Sequence, residues 1–264
     1  MAQDKFSDAE NDVEKIDRDL FDRIAADFAS KDSIKSSSLA RRYQILYAVE
    51  PILKKLGPDI SIIDIACGVG APAKYLLGLY EDYTGIDHSS AMIAAAVKFN
   101  AGNSGARFIT GNIKTAALPE RSADLILAIG ALHHMTELDK VMEILKRLAK
   151  PGAYFVAVEP YRGNPLVQLL RWVRTIIDRS YSNDQRYFSR QEIRELLSEH
   201  DMAEIAICHQ GFLSPPFAQV ILKPQWLAVP LARLAVALDK SCDKFCPKML
   251  KRLSWNIVIR CRFP

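Results

Sequence analysis

A short apolar run ends in two closely spaced glycines near residue 65, which limits the folds open to this chain. Residues Ile60 to Ile65 are rich in β-branched side chains, and the chain continues as Ala66-Cys67-Gly68-Val69-Gly70. An apolar run of this length and kind is typical of a strand buried on both faces. Glycines directly after such a strand favour a tight turn in which the backbone can approach a ligand. The sequence therefore predicts a buried strand that enters a ligand-binding turn.

Apolar strands and amphipathic helices then alternate along the chain. The pattern predicts strands at 83–86, 107–110, 124–129, 153–158 and 203–209, a final strand at 255–263, and helices at 71–80, 90–100, 136–149, 164–179 and 189–200. Thr136 is placed to cap the third of these helices. Strands that alternate with helices imply right-handed crossovers and a sheet covered on both faces. We therefore predict an α/β fold with a doubly wound, Rossmann-like sheet, mostly parallel, with an antiparallel C-terminal strand.

Two further segments flank or interrupt this core. Apolar residues recur three to four apart between Val13 and Phe28 and between Leu39 and Leu56, so residues 1–57 are predicted to be helices that cap the site, and residues 58–264 to form the main domain. Residues 211–252 are apolar, contain Pro215, Pro216, Pro224 and Pro230, and end in basic residues. We predict a helical lid there, too interrupted to span a membrane. A peripheral membrane or lipid contact through 211–252 is the alternative.

Composition and charge exclude several function classes. The 264 residues are 49% hydrophobic and carry a net charge of +4, which indicates a folded chain and, without a basic cluster, no nucleic-acid partner. The acidic first fourteen residues contain no apolar run, so we expect a cytoplasmic protein, with membrane association left open. Of the five cysteines only Cys242 and Cys246 are close together, and no histidine is near them. We therefore predict neither a metal site nor a disulfide framework.

The glycine turn does not match a dinucleotide-binding fingerprint. That fingerprint needs three spaced glycines, and Ala66, Gly68 and Ala71 occupy the three positions here. Because the missing glycines allow close backbone approach and helix packing, an oxidoreductase with a nicotinamide cofactor is disfavoured.

Five short motifs in order, over roughly residues 60–160, resemble those of the class I S-adenosylmethionine (SAM)-dependent methyltransferases. The first is Ile62-Ile63-Asp64-Ile65-Ala66-Cys67-Gly68-Val69-Gly70. The others are Tyr83-Thr84-Gly85-Ile86-Asp87, Phe108-Ile109-Thr110-Gly111-Asn112-Ile113, Ser122-Ala123-Asp124-Leu125-Ile126 with the exit Ala131-Leu132-His133-His134, and Leu148-Ala149-Lys150-Pro151-Gly152. The chain is similar in particular to the group that methylates ubiquinone and menaquinone precursors.

The resemblance implies a SAM site and assigns its residues. The predicted cofactor-binding residues are Asp64, Ala66, Gly68, Gly70, Asp87, Asn112, Ile113, Ala128 and Ile129. The Asp87 carboxylate is expected to accept both ribose hydroxyls, and the Asn112 side chain to face the adenine amine. The backbone carbonyls of Ala128 and Ile129 are assigned to the methionyl end. The chain departs from the family pattern at Ala66, where glycine is common, and at Asn112, where aspartate is common.

Methyl transfer needs a base only when the acceptor must lose a proton. His133 and His134 leave the fourth strand at the edge where the ligand is expected, and either could take that proton near neutral pH. A histidine that only bonds backbone is an equal alternative for both. Arg41 and Arg42 are interpreted as a solvated helix face rather than as SAM ligands.

The sequence therefore predicts an enzyme that transfers a methyl group from SAM to a small, apolar or lipid-like acceptor. A SAM-binding module without transfer activity is the alternative. Neither the acceptor, nor the element that is methylated, nor the oligomeric state follows from the sequence.

Overall fold

The computed structural model describes residues 2–165, 167–169, 187–245 and 250–264. A seven-stranded sheet lies at the centre of this part of the chain. The strands lie in the order β3-β2-β1-β4-β5-β7-β6. Their bounds are β1 (Ser61–Ile65), β2 (Asp82–Asp87), β3 (Ala106–Thr110), β4 (Ala123–Ile129), β5 (Ala149–Pro160), β6 (Ala203–Gln210) and β7 (Asn256–Arg262). The first five strands pair in parallel. Strand β7 runs antiparallel between β5 and β6, which confirms the predicted doubly wound fold.

Helices cover both faces of this sheet. Their bounds are α1 (Ala2–Ser33), α2 (Lys35–Leu56), α3 (Ala71–Tyr75), α4 (Ser90–Phe99), α5 (Leu138–Leu148), α6 (Arg190–Glu199), α7 (Pro215–Gln219) and α8 (Gln225–Phe245). One buried cluster joins the sheet to α5 and α6, and a second joins the opposite face to α2 and α3. Burial on both faces explains why the central strands are almost uniformly apolar.

Two predicted helix boundaries were wrong for local reasons. Helix α3 ends at Tyr75 and not at residue 80, because Gly78 follows with a φ of +82° that a helix cannot accommodate. Helix α5 is not capped by Thr136: its N-cap is Glu137, in the left-handed region. The Thr136 hydroxyl instead donates to Glu14 of α1 at 2.8 Å. The helix predicted at 164–179 lies largely outside the described residues.

The described residues of 211–252 include helices α7 and α8, which both pack against α2. The Asp239 carboxylate on α8 accepts the N–H groups of Phe212, Leu213 and Ser214 at 2.8 to 3.1 Å. The Asp243 carboxylate accepts the hydroxyl of Tyr43, on α2, at 2.6 Å. Both carboxylates are buried, so they fix α8 to the loop before it and to α2. Among the helices described, none combines the length and the apolar character that crossing a bilayer requires.

Candidate functional site

A cavity opens where the carboxyl ends of β1, β2 and β4 meet, and helices α1 and α2 cover it. Backbone and side chains after β1, β2 and β4 form its floor, and residues 14–28 of α1 with Arg41 and Ile45 of α2 form its roof. The cavity and its open mouth together contain about 1160 Å³ of empty space. This edge is where doubly wound sheets bind their ligands.

The Asp87 carboxylate, at the end of β2, organises the glycine turn. It accepts the N–H of Gly68 on Oδ2 at 2.8 Å and the N–H of Ser89 on Oδ1 at 2.9 Å. Burial raises the pKa of this carboxyl, and its two backbone hydrogen bonds oppose the rise. An ionised carboxylate has about four lone-pair sites, so two remain for donors within the cavity.

Asp64 has one buried oxygen without a hydrogen-bond partner among the described residues. Its Oδ2 accepts the hydroxyl of Tyr83, whereas its Oδ1 accepts no hydrogen bond. The side chain lines the cavity and is 1% exposed, and burial raises its pKa to about 7. A buried acceptor without a partner is costly, so this oxygen fits a ligand that brings a hydrogen-bond donor.

The turn between β1 and α3 has three residues in left-handed conformations. Ala66, Gly68 and Gly70 have φ values of +48°, +52° and +69°. A Cβ on Gly68 would meet no atom within 4 Å, whereas a Cβ on Gly70 would lie 2.7 Å from the Phe108 ring. At Ala66 the left-handed conformation crowds the Cβ, which glycine would not have. The turn therefore leaves open space over Gly68 for a ligand.

Asn112 and Ile113, which the third-strand motif predicted as cofactor-binding residues, line the cavity. The Asn112 amide nitrogen donates to Glu14 of α1 at 2.9 Å, and its oxygen accepts the N–H of Lys114 at 2.9 Å. One lone pair of that oxygen remains for an adenine amine. Lys114 also forms ion pairs with Glu14 and with Glu137, and together with hydrogen bonds from Asn112 and Thr136 it lowers the pKa of Glu14 against the opposing effect of burial.

Of the remaining predicted site residues, some line the cavity and others lie in the core. Ile129 and His134 line the cavity. Ala128 is fully buried in the sheet, where it pairs with Ala157 of β5. Gly70 and His133 also lie outside the lining. The assignments of Ala128, Gly70 and His133 to the site therefore stay predictions, and the geometry brings the other predicted residues together.

A buried carboxylate explains the different orientations of the two histidines. Glu159, at the end of β5, is 0% exposed and accepts the N–H groups of Ala131, Leu132 and His133 at 2.8 to 3.3 Å. It also contacts His133 Nδ1 at 2.7 Å. His133 is thus held against the sheet, while the next residue, His134, projects towards α1. Its Nδ1 lies 3.3 Å from Asp17 Oδ1.

The acidic face of α1 was missed by the sequence analysis. Glu14, Asp17 and Phe21 are spaced three and four apart and line the cavity, and Asp22 accepts the Ser89 hydroxyl and the N–H of Ala91. The spacing could have shown that these residues share a face, since it is the helical repeat. Arg41, interpreted as solvated, also lines the cavity, 3.5 Å from Asp32.

Two further expectations concern metals and the lid. Among the described residues, no group of three or more His, Cys, Asp or Glu side chains is arranged to hold a metal ion; Cys246 lies outside them. The described residues of 211–252 do not line the cavity. The cover over the site therefore comes from α1 and α2.

Comparison with known proteins finds a methyltransferase domain in this chain. Residues 63–157 match the family model described as a methyltransferase domain. A sterol 24-C-methyltransferase of Neurospora crassa is 30% identical over 122 residues, which are 45% of this chain and 31% of that protein. A 2-methyl-6-phytyl-1,4-hydroquinone methyltransferase of Synechocystis is 25% identical over 127 residues, 47% of this chain and 40% of that protein. The chain thus aligns with less than half the length of these curated relatives.

Solved structures show the same fold over nearly the whole chain. A SAM-dependent methyltransferase of Thermotoga maritima has a TM-score of 0.61 at 17% identity, and covers 93% of this chain and 98% of its own. Geranyl diphosphate C-methyltransferase of Streptomyces coelicolor has a TM-score of 0.53 at 14% identity, and covers 79% and 74%. With the ordered motifs, the match over residues 63–157 identifies a methyltransferase domain within this chain, and the solved structures show that its fold is that of S-adenosylmethionine-dependent methyltransferases.

Proposed function

We propose that this protein transfers a methyl group from SAM to a small apolar or lipid-like acceptor. The observation that carries the proposal is the pair of buried carboxylates at the cavity floor. Asp87 keeps two lone-pair sites beyond its bonds to Gly68 and Ser89, and Asp64 has an oxygen without a partner. Ribose hydroxyls and an ammonium group are donors that suit these acceptors.

The residues of the cavity fit SAM in three regions. Asp87 would hold the ribose, the open space over Gly68 would admit the methionyl part near Asp64, and Asn112 with Ile113 would border the adenine. When bound, SAM supplies an activated methyl group on a sulfonium. The chain's own contribution is to align the acceptor with that methyl group and to exclude water, which the roof of α1 and α2 supports.

His134 is the better placed of the two histidines to take a proton from an acceptor. Because the Asp17 carboxylate faces Nδ1, that nitrogen carries the hydrogen and Nε2 is the ring atom left to accept one. Asp17 acts as a positioning residue in this arrangement. The Nδ1 atom of His133 is in contact with the Glu159 carboxylate. An acceptor that carries a hydroxyl group would use His134, whereas one that reacts without losing a proton would not.

The apolar part of the cavity supports an apolar acceptor. Phe21, Phe28, Ile45, Met92 and Met135 line it. Two relatives act, by their names, on a sterol and on a phytyl hydroquinone, and a protein of the same fold acts on geranyl diphosphate. We extend this class of acceptor to the chain, together with peripheral lipid contact through 211–252.

Calorimetry followed by a transfer assay tests the proposal. SAM should bind the purified protein, a nicotinamide dinucleotide should not displace it, and label from methyl-labelled SAM should appear in isoprenoid phenols or sterols. Failure of SAM to bind at millimolar concentration would overturn the proposal. SAM binding without transfer to any acceptor would favour the binding module instead.

A pair of histidine variants tests the proposed base. With a hydroxyl-bearing acceptor, His134→Asn should lower kcat about 10²-fold or more without a similar change in SAM affinity. His133→Asn is the matched control, and we expect its main effect on stability. Equal kcat in wild type and His134→Asn would remove His134 from catalysis.

A further inference from the structure

Helix α8 presents a continuous apolar stripe to solvent. Leu227, Leu231, Leu234, Leu238 and Phe245 are spaced four, three, four and seven residues apart, so they share one face of the helix. Their exposed fractions range from 44% to 73%, and Trp226 beside them is 76% exposed. We call these five residues the leucine stripe. Side chains of this size are rarely left in contact with water as a contiguous patch unless the patch binds something.

The surface around the leucine stripe is positively charged. Arg233, Lys240 and Lys244 are exposed on a second face of α8, about a third of a turn around the helix axis from the stripe, and in the part of the chain that the structure describes they form no salt bridge. The two carboxylates of the helix, Asp239 and Asp243, point inward, where they bind the loop 211–214 and Tyr43. The outer face of α8 therefore combines apolar and cationic side chains without an exposed carboxylate.

A groove runs along the first turns of α8, on the side that faces the junction of α1 and α2. Ile34, Trp226, Val229 and Pro230 supply its apolar wall. Lys35 and Arg233 are its two cationic side chains. An apolar groove with two cations at its rim matches an amphiphile that has an anionic headgroup, such as a phospholipid with its phosphodiester near Lys35 and Arg233.

We infer that α8 docks this protein on an anionic phospholipid membrane, with the leucine stripe in the interfacial region and the groove on a lipid headgroup. Amphipathic helices that lie in the plane of a membrane combine apolar anchors with Lys and Arg in this way. A second copy of the chain fits less well. Stripe-to-stripe packing of two copies would bury the leucine stripe but leave Arg233, Lys240 and Lys244 without a counter-charge, whereas an anionic membrane can contact both faces.

The docking surface lies close to the cavity, which deepens the proposed function and in that respect rests on it. The groove includes Ile34 and Lys35, and the cavity includes Asp32 and Arg41 of the same α1–α2 junction. Arg41 also reaches the carbonyl oxygen of Ala218 in the segment that carries α8. A lipid-like acceptor could therefore pass from the membrane to the cavity along this junction without crossing water.

Vesicle binding by the full-length protein tests the inference. We expect co-sedimentation with vesicles of phosphatidylcholine and phosphatidylglycerol, weaker binding to phosphatidylcholine alone, and a blue shift of the fluorescence of Trp226 that Trp226→Phe removes. At low salt, Arg233→Gln, Lys240→Gln and Lys244→Gln together should weaken binding about 100-fold, since each cation contributes about fivefold. Leu231→Ser with Leu234→Ser should weaken it at least about tenfold.

Matched variants elsewhere separate docking from general surface effects. Leu77, which is 62% exposed, and Lys98 lie outside α8, so Leu77→Ser and Lys98→Gln should bind vesicles like the wild type. Affinity for SAM should be the same in all these variants. Absence of binding to anionic vesicles, or a dimer in solution that Leu231→Ser with Leu234→Ser dissociates, would overturn the inference. Failure of vesicle binding with intact SAM binding would overturn the lipid contact and leave the proposed methyl transfer untouched, and the reverse result would overturn only the methyl transfer.

Discussion

Replacement of Asp87 gives the most direct test of the site, because this carboxylate has two separable roles. It accepts backbone N–H groups from Gly68 and Ser89, and it is proposed to accept both ribose hydroxyls. Two hydrogen bonds to a charged group contribute ~1.5–3 kcal/mol each. Asp87→Ala should therefore weaken SAM binding by ~3–6 kcal/mol, or about 10²- to 10⁴-fold.

The same substitution also carries a structural cost that must be separated from the binding effect. Asp87→Ala leaves two buried N–H groups without acceptors, at ~1–3 kcal/mol each. Asp87→Asn keeps one oxygen and should fold with a smaller loss, with SAM affinity reduced about 10- to 100-fold. Asp124 is a suitable control, since its Oδ2 accepts the N–H of Ser61 at 2.9 Å and pairs with Lys150 at the opposite edge of the sheet.

Calorimetry and urea denaturation on the three variants decide between the roles. Asp124→Asn should lower the free energy of unfolding and leave the dissociation constant of SAM unchanged. Asp87→Asn should change that constant. If Asp87→Asn binds SAM like the wild type, the ribose does not lie on this carboxylate and the placement of the cofactor is wrong.

Three further changes should affect stability in distinct ways, each measurable by urea denaturation. Gly70→Ala should cost ~2–4 kcal/mol because its Cβ would lie 2.7 Å from Phe108 at a positive φ, whereas Gly68→Ala should cost only ~1 kcal/mol; equal losses would contradict the steric reasoning. Burial raises the pKa of Asp64 to about 7, so the folded state retains a proton that the unfolded chain releases near pH 4, and stability falls as pH rises between these values. Asp64→Asn should remove that part of the slope, on the order of 4 kcal/mol, and an unchanged slope would count against the raised pKa. Glu159→Gln should cost ~2–4 kcal/mol, since the amide cannot accept from all four donors; an unchanged free energy of unfolding would refute the role given to this carboxylate.

The positions of the strands along the chain and the carboxylates at their ends could be predicted from the sequence because they depend on short-range patterns. A β-branched run followed by glycines fixes both the strand at Ile62 and the turn at Gly68. Asp87 ends the next strand, and parallel strands present their carboxyl ends at one edge. These features need no knowledge of which distant segments meet.

Helices that cap the site were expected at 1–57, but their contacts with the cavity could not be predicted, because these contacts join distant segments. The helical period of α1 was visible, but the contact of Glu14 with Asn112 joins residues 98 positions apart. Glu159 likewise holds His133 and leaves His134 to face the cavity. No local sequence pattern relates Glu159 to either histidine. Thr136 matches a helix cap locally, yet its hydroxyl is used by Glu14.

The roof formed by α1 has a consequence for the rate of ligand exchange. Glu14, Asp17 and Asp22 attach the helix through polar bonds to the walls that it covers, and its described apolar side chains pack on the cluster around Val69 and Met92. Entry and departure of a ligand of nucleoside size then require these bonds to break together. Because ionic bonds weaken as salt rises, exchange should be faster at high ionic strength, even though the affinity of the closed site changes little.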